Sequence, residues 1–139
     1  MEVLLAQRRM FSREVTETDA FMVMPSSSQA LYFHLGMNGD DDGFVSNPKT
    51  IIRSIGASED DLKILSAKRF IILFDSGIVV IKHWKLHNLI RSDRYKETTY
   101  LTEKTKLSIK DNNTYTEIDE STSKTIDNQM STSGMRSIV

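Results

Sequence analysis

Positions 82–96 read KHWKLHNLIRSDRYK, with five Lys/Arg, two His, a Trp and a Tyr against one Asp. Three chemistries suit such a stretch: phosphate contact, metal binding through the histidines, or no chemistry beyond an amphipathic helix with a solvated face. His83 and His87 are four apart, which on a helix would align two imidazoles. The β-branched run that ends at Trp84 favours a strand at His83 instead, and only His34 and no cysteine remain to complete a zinc set. The metal reading therefore falls, and no cofactor is expected. Lys82, Lys85, Arg91, Arg94 and Lys96 are candidate phosphate contacts, each adding to a salt-dependent affinity. His83, His87 and Tyr95 can add polar or stacking contacts, while Trp84 reads as core.

A second constellation is Asn38-Gly39-Asp40-Asp41-Asp42-Gly43. Oxygen ligands fall at its first, third and fifth positions and glycine at its sixth, as in a calcium-binding EF-hand loop. The twelfth position, where a bidentate Glu is needed, is Lys49, and a cation there defeats the site. The stretch reads as an acidic turn between a helix and a strand. No glycine-rich phosphate loop, nucleophile elbow or paired acid and base stands out, so the expectation is a non-enzyme.

The formal net charge of −1 gives no global attraction to nucleic acid, so any such contact must be local. Residues 1–81 carry eight Lys/Arg and eleven Asp/Glu, and residues 97–139 five and seven, so the basic excess belongs to 82–96. A smaller group, Arg8, Arg9 and Arg13, suggests a basic N-terminal arm over 1–15, of the kind that lies on a DNA backbone or in a minor groove. MEVLLAQRR is too short in apolar residues for a signal sequence, and no segment reaches the length of a membrane span. The absence of cysteine fits a reducing, cytoplasmic setting.

The elements that must position these residues are written mostly in caps and turns. SSSQALYFHLGMN offers hydroxyls for N-capping after Pro25, then Leu31, Leu35 and Phe33 or Met37 at helical spacing. A short apolar stretch, Phe44–Ser46, follows the acidic turn. NPKTIIRSIG predicts a helix with Pro48 in its first turn, Ile51, Ile52 and Ile55 on one face, and Gly56 as its stop. Ser58 and Asp61 approach a capping box ahead of Leu62 and Leu65, with Phe70 also facing inward. FIILFDSGIVVIKHW predicts a hairpin about Asp75-Ser76-Gly77. Leu86, Leu89 and Ile90 then mark a short final helix, and a strand is expected around Thr105–Ile109 before a KDNN turn.

That order predicts an α+β winged helix-turn-helix: a three-helix core, a small antiparallel sheet in which Phe44–Ser46 joins the hairpin wing, and an extra short helix. It occupies residues 16–116. Residues 117–139, rich in Ser, Thr, Asp and Asn and without an aromatic, read as a disordered tail or linker. The recognition helix would begin Glu59-Asp60-Asp61, which suits the helix dipole but repels phosphate. Lys63, Lys68 and Arg69 soften this further along; Lys63 and Lys68 join the candidate contacts.

RRMFS, SSQALYFHLGMN with DDDGF, IGASEDDLK and IKHWKLHNLIRSDRYK, in this order, resemble the N-terminal domain of phage and prophage replisome organisers of low-GC Gram-positive bacteria, replication initiators loosely related to DnaD-like primosome components. The resemblance covers roughly residues 6–116. It implies a winged helix in the bacterial host cytoplasm that binds double-stranded DNA at the phage origin and helps recruit host machinery, including a helicase or its loader. A homo-oligomer is also implied. Such proteins continue past the linker into a second domain, so recruitment itself is expected to be missing from this chain, and MEVLL precedes the family's usual start near Ala6. Two other functions fit the same pattern: an oligomerisation or helicase-loader module without strong DNA binding, and a prophage transcription regulator.

Overall fold

The computed structural model describes residues 6–118. Two single-turn helices open it, α1 (Arg13–Thr16) and α2 (Asp19–Met22). Each is capped by the hydroxyl before it: Ser12 accepts from the Glu14 amide and Thr18 from the Phe21 amide, both at 3.2 Å. The long helix α3 (Ser26–Met37) buries Leu31, Tyr32 and Leu35 and leaves Met37 exposed. Its serines do not cap it. Ser27 and Ser28 donate instead to the Asp61 carboxylate at 2.8 and 2.7 Å, because Pro25 fills the cap position and the hydroxyls inside the first turn face the neighbouring helix.

Strand β1 (Phe44–Val45) leads to α4 (Pro48–Ile55), which has Pro48 in its first turn, buries Ile51 and Ile52 and ends at Gly56, φ 73°. Helix α5 (Glu59–Ala67) carries the expected capping box. The Ser58 amide donates to Asp61 at 2.9 Å, and the Asp61 amide to the Ser58 hydroxyl at 3.3 Å. Strands β2 (Ile71–Leu73) and β3 (Val79–Ile81) form the hairpin, with Gly77 at φ 90° in the turn. β1 joins β3 antiparallel, with Phe44 opposite Val80, so the sheet order is β1-β3-β2. α3 packs against both α4 and α5. Phe21, Tyr32 and Phe70 meet edge-to-face in the core at 5.2–5.9 Å, a favoured aromatic geometry.

The next helix, α6 (Trp84–His87), begins and ends earlier than the Leu86-Leu89-Ile90 pattern predicts. Trp84 decides this. Its fully buried ring lies against Gly43, where a β-carbon would come within 2.5 Å of it, and near Gly39, and its Nε1 donates to the Asp41 carbonyl at 2.9 Å. With Trp84 fixed, the inward face is Trp84, His87 and Asn88, and Leu89 is 82% exposed.

The chain then runs through α7 (Leu101–Lys104) into a second hairpin, β4 (Leu107–Ile109) and β5 (Tyr115–Glu117). The first strand is the one expected; its partner β5 carried no recognisable signal. The fold is α+β, with several helices and a small antiparallel sheet. No helix among the described residues is long and apolar enough to cross a membrane. Glu117, expected in the tail, instead closes β5 opposite Leu107; residues 119–139 of the expected tail lie outside the described residues, as do residues 1–5 of the expected arm.

Candidate nucleic-acid interface

The twelve Lys, Arg and His candidates divide by what already holds them. Arg8, Lys63, Lys68, Arg94 and Lys96 are exposed and form no ion pair among the described residues. Arg13 and Arg91 are exposed but lie beside Glu17 at 3.4 Å and Asp93 at 2.9 Å. Such surface pairs are weak and separate easily before phosphate.

Of the other five, Arg9, Lys82, Lys85 and His87 are engaged inside the protein, and His83 is half-buried with its Nδ1 unpartnered among the described residues. Arg9 does not sit on an arm: its side chain is only 3% exposed, pairs with Asp41 at 3.1 Å, donates to the Gly39 carbonyl at 2.9 Å and lies over the Trp84 ring at 5.0 Å. The acidic turn and the indole provide what DNA would have offered, a counter-charge and a π face. Lys85 reaches the Asp42 carboxylate at 3.3 Å, and Lys82 donates its ammonium to the Tyr115 carbonyl at 2.6 Å.

His87 is buried between the N-terminal segment and α3. Its Nδ1 accepts from the Ser12 amide at 2.7 Å, which leaves the proton on Nε2 to donate to the Tyr32 hydroxyl 2.6 Å away. Burial, and then the nearby His83, pushes its pKa down to about 4; burial, and then Lys82, does the same to His83. Both rings are neutral near pH 7. His87 therefore braces the core, and His83, half-buried, brings no positive charge to the surface. Much of the basic character of 82–96 is thus taken up within the fold, leaving Arg94 and Lys96 outward, Arg91 loosely paired and Lys82 half-buried with a single bond to the Tyr115 carbonyl.

A further polar assembly, centred on Asp42, is one that the sequence pattern did not disclose. Asp42, its side chain wholly buried, accepts from the Tyr95 hydroxyl at 2.8 Å and the Thr98 amide at 2.8 Å and pairs with Lys85 and with Lys104 at 3.5 Å. Burial works to raise its pKa, but the Thr98 amide, the Tyr95 hydroxyl and the two ammonium groups hold it below the ordinary carboxylate value. Asp40 accepts from the amides of Asp42 and Phe44 and from the Thr98 hydroxyl, and burial raises its pKa despite these bonds. Asp41 accepts from the Lys96 amide at 3.0 Å. Three consecutive carboxylates thus clasp the segment 95–104. Among the described residues no set of three His, Asp or Glu side chains is arranged to hold a metal ion.

The outward-facing cations lie at the N-terminal segment, along and after α5, and on the stretch after α6. The front of α5 presents Glu59 and Asp60 to solvent, whereas Asp61 is turned inward to Ser27, Ser28 and Ser58. Comparison with protein-family models, curated proteins and solved structures gives no match to this chain.

Proposed function

We propose that the protein is a DNA-binding winged helix of phage replication initiation, contacting duplex DNA of the origin region. The observation that carries the DNA contact is the arrangement of elements: α3, β1, α4, a tight glycine turn, α5 and the β2–β3 hairpin, with sheet order β1-β3-β2. This order supports a winged helix-turn-helix reading, in which α5 would be the helix offered to the major groove. Lys63 and Lys68 lie on and just after that helix, and Arg8, Arg94 and Lys96 supply further exposed positive charge. The replication role and a helicase or loader partner rest on the resemblance to replisome organisers. A salt-dependent titration with duplexes from the source phage genome tests the contact, and footprinting separates origin from promoter protection. Absence of binding at low salt overturns it.

A second reading is favoured by one specific observation. Glu59 and Asp60 stand exposed at the start of α5, and Met22 and Val23 are 56% and 72% exposed on α2 and directly after it. An acidic helix front and exposed apolar side chains suit a protein partner or a second copy of the chain better than phosphate. A stable oligomer by light scattering, without measurable DNA affinity, would favour this interaction module over the DNA binder.

A further inference from the structure

Helices α4 and α5 end with the same bond pattern but different residues. After α4 the Ala57 amide donates to the Ile52 carbonyl at 3.0 Å and the Gly56 amide to that of Arg53 at 3.4 Å. After α5 the Phe70 amide donates to the Leu65 carbonyl at 2.9 Å and the Arg69 amide to that of Ser66 at 3.1 Å. Both are Schellman endings, whose pivotal residue turns left-handed: Gly56 at φ 73°, Arg69 at φ 69°. A β-carbon carries a steric penalty there that glycine escapes. Arg69 bears that penalty while its exposed side chain makes no hydrogen bond or ion pair among the described residues. An outlier at an exposed cation that no internal contact explains is the kind of position that motivates a functional role.

The backbone shows what Arg69 sits beside. The Lys82 amide donates to the Phe70 carbonyl at 3.2 Å, and the Tyr115 amide to the Lys82 carbonyl at 2.9 Å. The Lys110 amide in turn donates to the Thr114 carbonyl at 2.9 Å. Four strand ends therefore meet, and they bring Arg69, Lys82 and Lys110 to one edge of the molecule. After burial, the charges of Lys110 and Arg69 press the Lys82 pKa down, and Glu117 is the acidic group that opposes them. Lys82 commits one ammonium proton to the Tyr115 carbonyl and retains two for another acceptor.

We propose that Arg69, Lys82 and Lys110 form a phosphate-contacting edge for duplex DNA, with the β4–β5 hairpin as a second contact element beside α5. This inference rests on the DNA-binding reading and extends it to two residues, Arg69 and Lys110, and to a hairpin outside the helix-turn-helix. Fluorescence anisotropy of a labelled duplex across a salt series tests it on the wild-type chain, R69G and K110Q, with urea unfolding of each. R69G is expected to unfold at or above the wild-type midpoint, because strain is released. Its DNA affinity falls several-fold and its log–log salt slope becomes shallower by about one. K110Q shows the same change in slope with an unchanged midpoint. Wild-type slopes in both variants, with wild-type binding intact, overturn this inference and leave the DNA-binding reading standing. A lower midpoint for R69G assigns Arg69 to the fold and overturns its role as a contact. A wild-type chain that does not bind DNA at low salt removes both readings.

Discussion

The guanidinium of Arg9 lies 3.1 Å from the Asp41 carboxylate and 5.0 Å from the centre of the Trp84 ring, closing the N-terminal segment over the core. R9A therefore acts on stability. Removing one member of a buried pair costs about 2–4 kcal/mol, less than for a fully enclosed pair because Asp41 can regain water. Urea unfolding should show the drop, and D41N in the R9A background should recover part of it. R8A, one residue away and exposed, should leave the midpoint unchanged. Loss of DNA affinity in R9A with no loss of stability would restore the arm.

Asp42 gives an acid-side prediction. Its folded pKa lies below the unfolded value, so its contribution is present above a pH of about 4 and is lost as pH falls through the lower, folded value. Asp61, also depressed, adds a loss of the same sign, while the raised pKa of Asp40 works against it. D42N should cost about 3 kcal/mol near neutrality, since Lys85 and Lys104 lose their shared partner. It should also flatten the fall in stability below a pH of about 4. An unchanged acid profile in D42N would show that Asp42 does not carry this linkage.

His87 acts in a different window. A base whose folded pKa is depressed favours folding while neutral, so its contribution is complete above its ordinary value of 6.5. It is lost as pH falls from there to about 4. A tenfold change in proton affinity is worth ~1.4 kcal/mol, which bounds the effect at about 3 kcal/mol. His83 shares the window. H87Q should be less stable near neutrality and should lose about half of the pH dependence between 6.5 and 4, read from unfolding midpoints.

Gly43 and Gly77 separate steric crowding from backbone conformation. Both have positive φ, 88° and 90°, but a β-carbon at Gly43 meets Trp84 at 2.5 Å, whereas nothing lies within 4 Å at Gly77. G77A should cost about 1 kcal/mol and G43A about 3 kcal/mol or more. Trp84 is the sole tryptophan, so its emission should shift toward that of a solvated indole in G43A alone. Equal costs would refute the cradle around Trp84.

What could be read from the sequence was local. The Ser58–Asp61 capping box, the Gly56 stop, Pro48 at a helix start and the Asp75-Ser76-Gly77 turn each act over a few residues and stand where expected. Periodicity placed Leu31 and Leu35 of α3, Ile51 and Ile52 of α4 and Leu62 and Leu65 of α5 in the core, but not Tyr32, which is fully buried, and it offered Met37, which is exposed. The partners of the Asp42 carboxylate are 43 to 62 positions away and those of the Arg9 side chain at least 30, and no spacing rule connects them. Leu89 departs from its expected inward place for the same reason, because the glycine cradle that fixes Trp84 lies more than forty residues earlier. The charge excess in 82–96 was plain, but the carbonyl and the carboxylate that occupy Lys82 and Lys85 were not.

Tyr115 links the two hairpins at both ends. Its backbone exchanges bonds with Lys82, and its hydroxyl donates to the Asp42 carbonyl at 2.7 Å, next to the carboxylate that holds Tyr95 and Thr98. Lifting the β4–β5 hairpin therefore uncovers Asp42, and releasing Asp42 loosens the hairpin. The last quarter of the described chain should open as a single cooperative step in native-state hydrogen exchange, ahead of the helices.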